Sequence, residues 1–237
     1  MSQSQTTSPV IVALDFPTEK ETLQLVERLD PSLCRLKVGK ELFTRCGPAL
    51  VKQLVDKNFD VFLDLKYHDI PNTVAKACEA AADLGVWMLN VHALGGEKMM
   101  SAAKEAVSRD GSEAPLLIAV TWLTSSGQAE LDALGLQATP EQMVSRLANM
   151  TQNAGLDGVV CSAQEAPVLR QQMKEDFLLV TPGIRLADSE KDDQCRVVTP
   201  GKAMQDGSSY LVIGRPITQA DDPCQVLDRI MKDLASI

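Results

Sequence analysis

Short apolar runs rich in β-branched residues recur along the chain, and each is followed by a segment with helical spacing. Runs of this length are typical of buried strands, and their alternation with helices predicts parallel strands joined by right-handed crossovers. Eight such units in 237 residues predict an α/β fold, a (β/α)8 TIM barrel, rather than an open doubly wound sheet. The predicted strands are residues 10–14, 36–38, 61–65, 87–92, 116–123, 158–161, 178–180 and 210–213.

Three of the intervening segments carry clear helix signals. Residues 72–84 place apolar side chains at the i, i+3, i+4, i+7 spacing of one helix face. Thr139 and Gln142 form a capping box around a proline, and Asp222 precedes Pro223 as a second N-cap. No G-x-G-x-x-G motif follows the first predicted strand, which argues against a dinucleotide-binding sheet.

The composition predicts a soluble globular chain, because 45% of the residues are hydrophobic and 23% are charged. No apolar stretch is long enough to span a membrane, and the polar first residues lack the features of a signal peptide. We therefore expect a flexible tail at residues 1–9, a single barrel domain at residues 10–237, a cytoplasmic location and no membrane partner.

The net charge limits the possible partners, and the cysteine spacing indicates the redox state of the thiols. The net charge of -9 argues against nucleic acid and anionic membranes as partners, although local arginines can still bind a small anionic ligand. The six cysteines are scattered and form no C-x-x-C pair, which favours reduced thiols over disulfides.

An acid–lysine–acid row follows the third predicted strand. Asp64 and Lys66 are two residues apart, so an extended chain points their side chains the same way, and Asp69 follows in the turn. In a barrel of this kind the active site lies at the carboxyl ends of the strands. The row is therefore a candidate catalytic centre, although a surface ion pair would also explain the motif taken alone.

Lys37 lies inside the second predicted strand, where an unpaired ammonium group would lose much of its hydration. Its expected partners are the carboxylates of Asp15, Asp64 and Asp69, which converge on the same face. A magnesium site built from these aspartates is disfavoured, because two lysines interleave with them and would repel the cation.

The two histidines, His68 and His92, are weak candidates for a catalytic triad, since neither lies in a nucleophile-elbow context. We expect His92 to be a hydrogen-bonded residue at the top of the barrel. Gly214 and Arg215 follow the last strand, where barrels often bind phosphate. The polar segment 182–200 fits a lid over such a site.

Seven stretches spread over almost the whole chain carry a resemblance to a known family. The chain resembles the orotidine 5'-phosphate decarboxylases, and the stretch after the third strand is highly specific to them. The matching stretches are residues 13–15, 37–39, 62–73, 91–93, 181–185, 193–196 and 213–217.

The resemblance implies a (β/α)8 homodimer that removes CO2 from carbon 6 of orotidine 5'-monophosphate without a cofactor or metal. Lys66 would protonate carbon 6, and Asp64 would flank it together with Asp69 donated by the partner subunit. Lys37 would complete the charge network and, like Asp15, reach the ribose.

The resemblance also implies the substrate-binding residues. Ile70 and Thr73 would arrive from the partner subunit, Thr124 would read the pyrimidine edge, and Gln194 would bridge base and phosphate. The phosphate end of the site would be formed by Pro182, Arg185, Gly214 and Arg215.

Two other functions remain open on the residues alone. A relative in the same superfamily decarboxylates a sugar-phosphate acid through a metal-stabilised enediolate and shares the Asp-x-Lys-x-x-Asp motif. The strand containing Lys37 and the set Thr124, Gln194 and Arg215 argue against it. The second alternative is a barrel that binds a nucleotide without turning it over, which gives no reason for burying a second lysine beside Lys66.

Overall fold

The fold is a closed barrel of eight parallel strands, which confirms the predicted TIM barrel. The computed structural model describes residues 6–108, 114–186 and 198–236. Each strand pairs with its neighbours in chain order, and β1 closes the barrel against β8. The strands are β1 Val10–Ala13, β2 Arg35–Gly39, β3 Val61–Tyr67, β4 Met88–His92, β5 Leu116–Val120, β6 Gly158–Val160, β7 Leu178–Thr181 and β8 Tyr210–Ile213.

Helices follow every strand and cover the outside of the barrel. The predicted capping box is confirmed, since Thr139 and Gln142 exchange backbone-to-side-chain hydrogen bonds at the start of α6. Asp222 caps the last helix through Gln225. The helices are α1 Glu19–Val26, α2 Lys40–Asp56, α3 Pro71–Ala82, α4 Glu97–Val107, α5 Gln128–Ala133, α6 Pro140–Asn153, α7 Ala166–Gln172, α8 Pro200–Gln205, α9 Arg215–Thr218 and α10 Pro223–Ala235, with a short 3-10 helix at Ala93–Gly95.

Two apolar layers hold the barrel together. The larger layer lies between the strands and the helices, and the smaller one fills the barrel interior. Since side chains alternate along a strand, every second residue of each strand points inward. The interior layer consists of Ile11, Ala13, Phe62, Met88, Ile118, Val180 and Val212.

Arg35 closes the amino-terminal end of the barrel as a buried cation. Its guanidinium lies 3.2 Å from the carboxylate of Asp60 and 4.4 Å from the ring centre of Trp87. It also donates hydrogen bonds to the carbonyl groups of Ser8 and Thr6. These partners replace the water that a buried guanidinium loses.

The contacts of Arg35 shorten the flexible tail that the sequence predicts at residues 1–9. Thr6 and Ser8 fall in the predicted tail 1–9, but both are buried against the bottom of the barrel. The hydroxyl of Thr6 donates to the carbonyl of Ser32 at 2.6 Å, and the backbone N–H of Ser8 donates to Thr6. Thr6 and Ser8 are held in place because their carbonyl groups complete the hydrogen bonding of Arg35.

The cysteines of the described residues are all free thiols, as expected from their spacing. Burial raises the pKa of Cys34 and of Cys78 to about 12 and raises the pKa of Cys161 further, so these thiols stay protonated at neutral pH. Within the same part of the chain, no helix combines the length and the apolar character that crossing a membrane requires.

We predict that Asp60→Ala lowers the free energy of unfolding by about 3–5 kcal/mol, because it leaves the Arg35 guanidinium buried without its carboxylate. Urea unfolding at pH 7 measures the change. The matched control is Arg45→Ala, which breaks the exposed Arg45–Glu41 pair on α2 and should cost no more than about 0.5 kcal/mol. Equal losses in the two variants would contradict a structural role for the buried pair.

Candidate active site

A polar layer lies directly above the apolar interior of the barrel. Lys37, Asp64 and Asn90 each follow an inward-pointing residue by two positions on β2, β3 and β4. The register places Asp64 beside Gly39, one layer closer to the carboxyl ends of the strands than Phe62. Lys37 lies level with Phe62, and its long side chain extends up to Asp64. Strand alternation, together with the length of the Lys37 side chain, therefore brings three polar groups together over an apolar floor.

Asp64 lies at the centre of a row of charges. Its Oδ1 is 2.5 Å from the Nζ of Lys66, and its Oδ2 is 3.5 Å from the Nζ of Lys37. Lys37 also lies 3.3 Å from the carboxylate of Asp15 on the rim. Of the predicted partners of Lys37, the structure thus brings Asp15 and Asp64 into contact with it. Gly39 belongs to the same arrangement, because a Cβ there would approach the Lys37 ammonium to 3.2 Å.

The side chain of Lys66 reaches Asp64 through an irregular backbone rather than through simple alternation. Lys66 has a φ of 53°, in the left-handed region that few residues other than glycine adopt. The pairing of β3 with β4 shifts between Leu63 and Tyr67, so Asp64, Leu65 and Lys66 all lie opposite Asn90. This is a β-bulge, and bulges near active sites redirect a side chain. The prediction that Asp64 and Lys66 share one face of an extended strand gave the correct contact for an incomplete reason.

The row keeps Asp64 ionised. Burial by itself raises the pKa of this carboxyl, but the charges of Lys37 and Lys66 and the hydrogen bonds from Lys66 and Asn90 outweigh that effect. The net result is a pKa below the usual value for an aspartate. The centre of the site is therefore a fixed negative charge between two ammonium groups at neutral pH.

A cavity of about 190 Å³ opens above the row. Its floor is apolar, and the charged groups of Lys37, Asp64 and Lys66 lie along one side. Thr124 and Pro182, both predicted to bind substrate, also line it. A flat, partly polar ring would fit between an apolar floor and a few polar groups of this kind.

Trp122 shapes the loop that carries Thr124. The indole lines the cavity and is almost fully buried, and its Nε1–H donates to the carbonyl of Ser126 at 3.0 Å. This bond closes the turn around Thr124 and holds that residue over the cavity. A buried tryptophan needs such a partner for its N–H group.

Asp69, Ile70 and Thr73 lie outside the charge row in the single chain. All three are exposed, and Ile70 is 66% exposed. The Asp69 carboxylate accepts a hydrogen bond from the N–H of Ile70 at 2.6 Å. Within the described residues it forms no ion pair with Lys37 or Lys66, so its predicted contact with Lys37 does not occur inside one chain.

The predicted phosphate-binding residues lie at the carboxyl ends of β7 and β8. Gly214 precedes α9, and a Cβ at this position would lie 3.8 Å from the carboxylate of Asp15, which links this end of the barrel to the charge row. The backbone N–H of Arg185 donates to the carbonyl of Val198, and this bond joins the two ends of the predicted lid. Gln194 and most of that lid lie outside the described residues.

His92 has the structural role that the sequence predicts. Its Nδ1 accepts a weak hydrogen bond from the N–H of Leu94 at 3.4 Å, and its ring stacks on His68 at 5.4 Å. Burial, together with the charges of His68, Lys40 and Lys66, lowers the pKa of His92. Among the described residues, no cluster of three or more His, Cys, Asp or Glu side chains is arranged to hold a metal ion.

Sequence reasoning missed two residues of this site, Asn90 and Trp122. Asn90 is a polar residue inside an apolar strand, which is the same signal that singled out Lys37. It could have been found by that argument. Trp122 carries no comparable signal, because an aromatic residue at the end of an apolar run is ordinary core material.

Comparisons with known proteins agree on one family. The family model described as "Orotidine 5'-phosphate decarboxylase / HUMPS family" matches residues 8–230. An "Orotidine 5'-phosphate decarboxylase" of Nitrosococcus oceani is 60% identical over 230 residues, covering 97% of this chain and 99% of that protein. One of Laribacter hongkongensis is 64% identical over 229 residues, covering 97% and 94%. A crystal structure of the enzyme of that name from Lactobacillus acidophilus superimposes with a TM-score of 0.86 at 40% identity, over 96% of this chain and 99% of that one.

We predict that Asp64→Asn lowers the free energy of unfolding by roughly 3 kcal/mol at pH 7, because two lysines lose their shared carboxylate. The folded pKa of Asp64 lies below its unfolded value of about 3.9, so the ionised carboxylate stabilises the fold above that unfolded pKa. This stabilisation is lost as the pH falls through the folded pKa. The difference between wild type and variant should therefore shrink below about pH 4.

Urea unfolding of both proteins between pH 7 and pH 3 measures the difference. Asp56→Asn, at an exposed position on α2, is the control and should change stability by less than about 0.5 kcal/mol. A difference between wild type and Asp64→Asn that stays constant over the whole range would mean that Asp64 is not held ionised by the row.

Proposed function

This chain belongs to the Orotidine 5'-phosphate decarboxylase / HUMPS family, and we propose that it converts orotidine 5'-monophosphate into uridine 5'-monophosphate and CO2. The observation that carries the proposal is the Lys37–Asp64–Lys66 row beside a cavity in a chain about 60% identical to proteins of that name. The reaction is the last step of the de novo synthesis of uridine 5'-monophosphate, and the enzyme is a carboxy-lyase.

The chemistry demands a group that stabilises negative charge at carbon 6. Breaking the bond to CO2 leaves the bonding electron pair on that carbon, where the pyrimidine ring cannot readily delocalise it. An ammonium group fixed beside the carbon stabilises the charge and then supplies the proton. We assign this role to Lys66, whose Nζ already lies 2.5 Å from a carboxylate that fixes its position.

Asp64 and Lys37 complete the preorganised field in this proposal. The substrate carboxylate would lie near Asp64, and repulsion between the two anions would be relieved as neutral CO2 departs. Lys37 keeps Asp64 ionised and, with Asp15 on the rim, reaches toward the ribose. Since these charges are in place before the substrate binds, little reorganisation is needed during the reaction.

The phosphate of the substrate is remote from the bond that breaks, so its binding energy can order the site rather than take part in the chemistry. We assign phosphate binding to Arg185, Gly214 and Arg215, and assign contact with the base to Thr124. Gln194 would bridge base and phosphate. The position of Thr124 and Pro182 on the cavity wall supports the assignment of the base end.

We propose a homodimer in which the partner subunit supplies Asp69, Ile70 and Thr73 to each site. Their exposure in the single chain is consistent with this arrangement, in which an interface would remove the apolar surface of Ile70 from water. The carboxylate of Asp69, which forms no ion pair inside the described chain, would join Lys66 on assembly.

We propose that the reaction needs no metal or cofactor and takes place in the cytoplasm. Two lysines in the row disfavour a divalent cation there, which separates this proposal from a metal-dependent sugar-phosphate decarboxylase. The names of the relatives at about 60% identity support the same choice. The buried free thiols of Cys34, Cys78 and Cys161 suit a reducing compartment.

We predict that Lys66→Ala lowers kcat for orotidine 5'-monophosphate by at least about 10³-fold, because it removes both the proton donor and the charge that stabilises the carbanion. The loss of substrate absorbance, measured with and without excess EDTA, reports the rate. Lys52→Ala, at an exposed lysine of α2, is the control and should match wild type. Wild type that is inactive, or active only with added Mg²⁺, would overturn the proposed reaction.

We predict that Lys66→Ala and Asp69→Ala, each nearly inactive alone, recover activity when they are mixed and allowed to exchange subunits. A hybrid dimer has one site with both residues intact and one site with neither, so random exchange should restore about a quarter of the wild-type sites. Activity during mixing, with the dimer population followed by native mass spectrometry, measures this. Subunit exchange without recovery would mean that Asp69 acts within its own chain.

A further inference from the structure

Asn90 is the most deeply buried polar side chain of the charged layer. It lies on β4 between Leu89 and Val91, and its accessible surface is zero. An amide group in such a position is unfavourable unless both its oxygen and its nitrogen find partners. Both do, and both partners belong to the row on β3.

The two hydrogen bonds of Asn90 reach different parts of that row. Its Oδ1 accepts from the backbone N–H of Lys66 at 2.8 Å, and its Nδ2 donates to the Oδ1 of Asp64 at 2.7 Å. The chemistry of the partners fixes the orientation of the amide, because an N–H must face an acceptor and a carboxylate must face a donor. A single side chain therefore ties the Lys66 backbone to the Asp64 carboxylate.

The hydrogen bond from the Lys66 N–H to Asn90 stabilises the unfavourable backbone conformation of Lys66. A lysine with a φ of 53° is unfavourable by itself and persists only where the surroundings fix it. The bulge removes Lys66 from the regular ladder with β4, and the Asn90 side chain supplies the acceptor that the ladder no longer gives. The left-handed turn at Lys66 directs its side chain back toward Asp64.

The carboxylate bond explains how Asp64 serves two lysines. Oδ1 faces Lys66 and Asn90, whereas Oδ2 faces Lys37. A donor on the Oδ1 side that cannot move with the flexible lysines fixes the rotation of the carboxylate. Without it, Asp64 could turn fully toward either lysine.

We propose that Asn90 is a positioning residue of the active site, which holds Lys66 in its left-handed conformation and locks Asp64 between Lys37 and Lys66. The part that concerns turnover rests on the proposed decarboxylase function. Asn90 itself is fully buried beside the row and does not touch the substrate in this proposal.

The first test compares kcat and KM of wild type, Asn90→Leu and Asn90→Asp with orotidine 5'-monophosphate. Asn90→Leu has a similar volume and loses both hydrogen bonds, whereas Asn90→Asp keeps the acceptor for Lys66 and loses the donor to Asp64. Both should lower kcat by roughly 10–100-fold and change KM by less than about 3-fold, because the row is aligned for the reacting carbon rather than for the phosphate.

The pH profile of kcat separates positioning from a general loss of stability. Asn90 is one of the groups that lower the pKa of Asp64, with Lys37 of β2 and Lys66 of β3. Among the described residues, the other charged or titratable groups around the row include Asp15 at the rim and His92 on β4, with Lys40 and His68 near His92. Removing the Asn90 donor should raise the pKa of Asp64, so the acid limb of the Asn90→Leu profile should move to higher pH. An unmoved profile would contradict the proposal.

Thr151→Val is the matched control, because it removes a buried hydrogen bond that lies away from the charge row. Thr151 is fully buried on α6, and its hydroxyl bonds to the carbonyl of Leu147, away from the row. It should lower the thermal midpoint without changing kcat. If Thr151→Val reduced kcat as much as Asn90→Leu does, the effect of Asn90 would be general destabilisation and the proposal would fail.

A crystal structure of Asn90→Leu tests the geometry without any substrate. The proposal expects Lys66 to leave the left-handed region and its contact with Asp64 to open beyond 4 Å, the usual limit for an ion pair. A variant that keeps φ near 53° and the short contact would overturn the inference. This result holds even if wild type proves inactive on orotidine 5'-monophosphate, so failure of the inference and failure of the proposed function can be told apart.

Discussion

The ion pairs that join Asp64 to Lys37 and Lys66 are the constraint on which the active-site end of this barrel depends. Charged groups that lose water are costly, and they stay ionised only if rigid partners replace that water. The barrel provides the partners from three neighbouring strands, with Asn90 on β4 donating to the carboxylate from the adjacent strand. The field that the proposed reaction needs is therefore built into the folded chain before a substrate arrives.

The same strand shows how position alone separates a structural cation from a functional one. Arg35 and Lys37 are two residues apart on β2 and both point into the barrel. Arg35 lies at the closed end, where Asp60, Trp87 and the carbonyl groups of the first residues surround it. Lys37 lies at the open end beside a cavity. The interior apolar side chains make the barrel a packed core rather than a pore.

The sequence predicted the parts of the structure that depend on local periodicity. Alternating strands and helices give the barrel, and a lysine inside an apolar strand identifies Lys37 as a residue that needs carboxylates. The left-handed backbone of Lys66 could not be predicted, because it arises from a register shift between β3 and β4 that neither strand encodes alone. The docking of Thr6 and Ser8 was missed for the same reason, since it depends on Arg35. Both features depend on residues that are distant in the sequence.

Asp69 connects the proposed assembly to the proposed chemistry. In one chain, the carboxylates of Asp15 and Asp64 contact the two lysines, and the Asp69 carboxylate lies outside with an exposed Ile70 beside it. On the proposed arrangement, covering Ile70 at the interface and bringing Asp69 to the partner's Lys66 are the same event. Apolar burial would then offset the cost of placing a second carboxylate beside the Asp64–Lys66 pair. Dimer formation and the completion of the charge row around Lys66 would thus depend on the same contact.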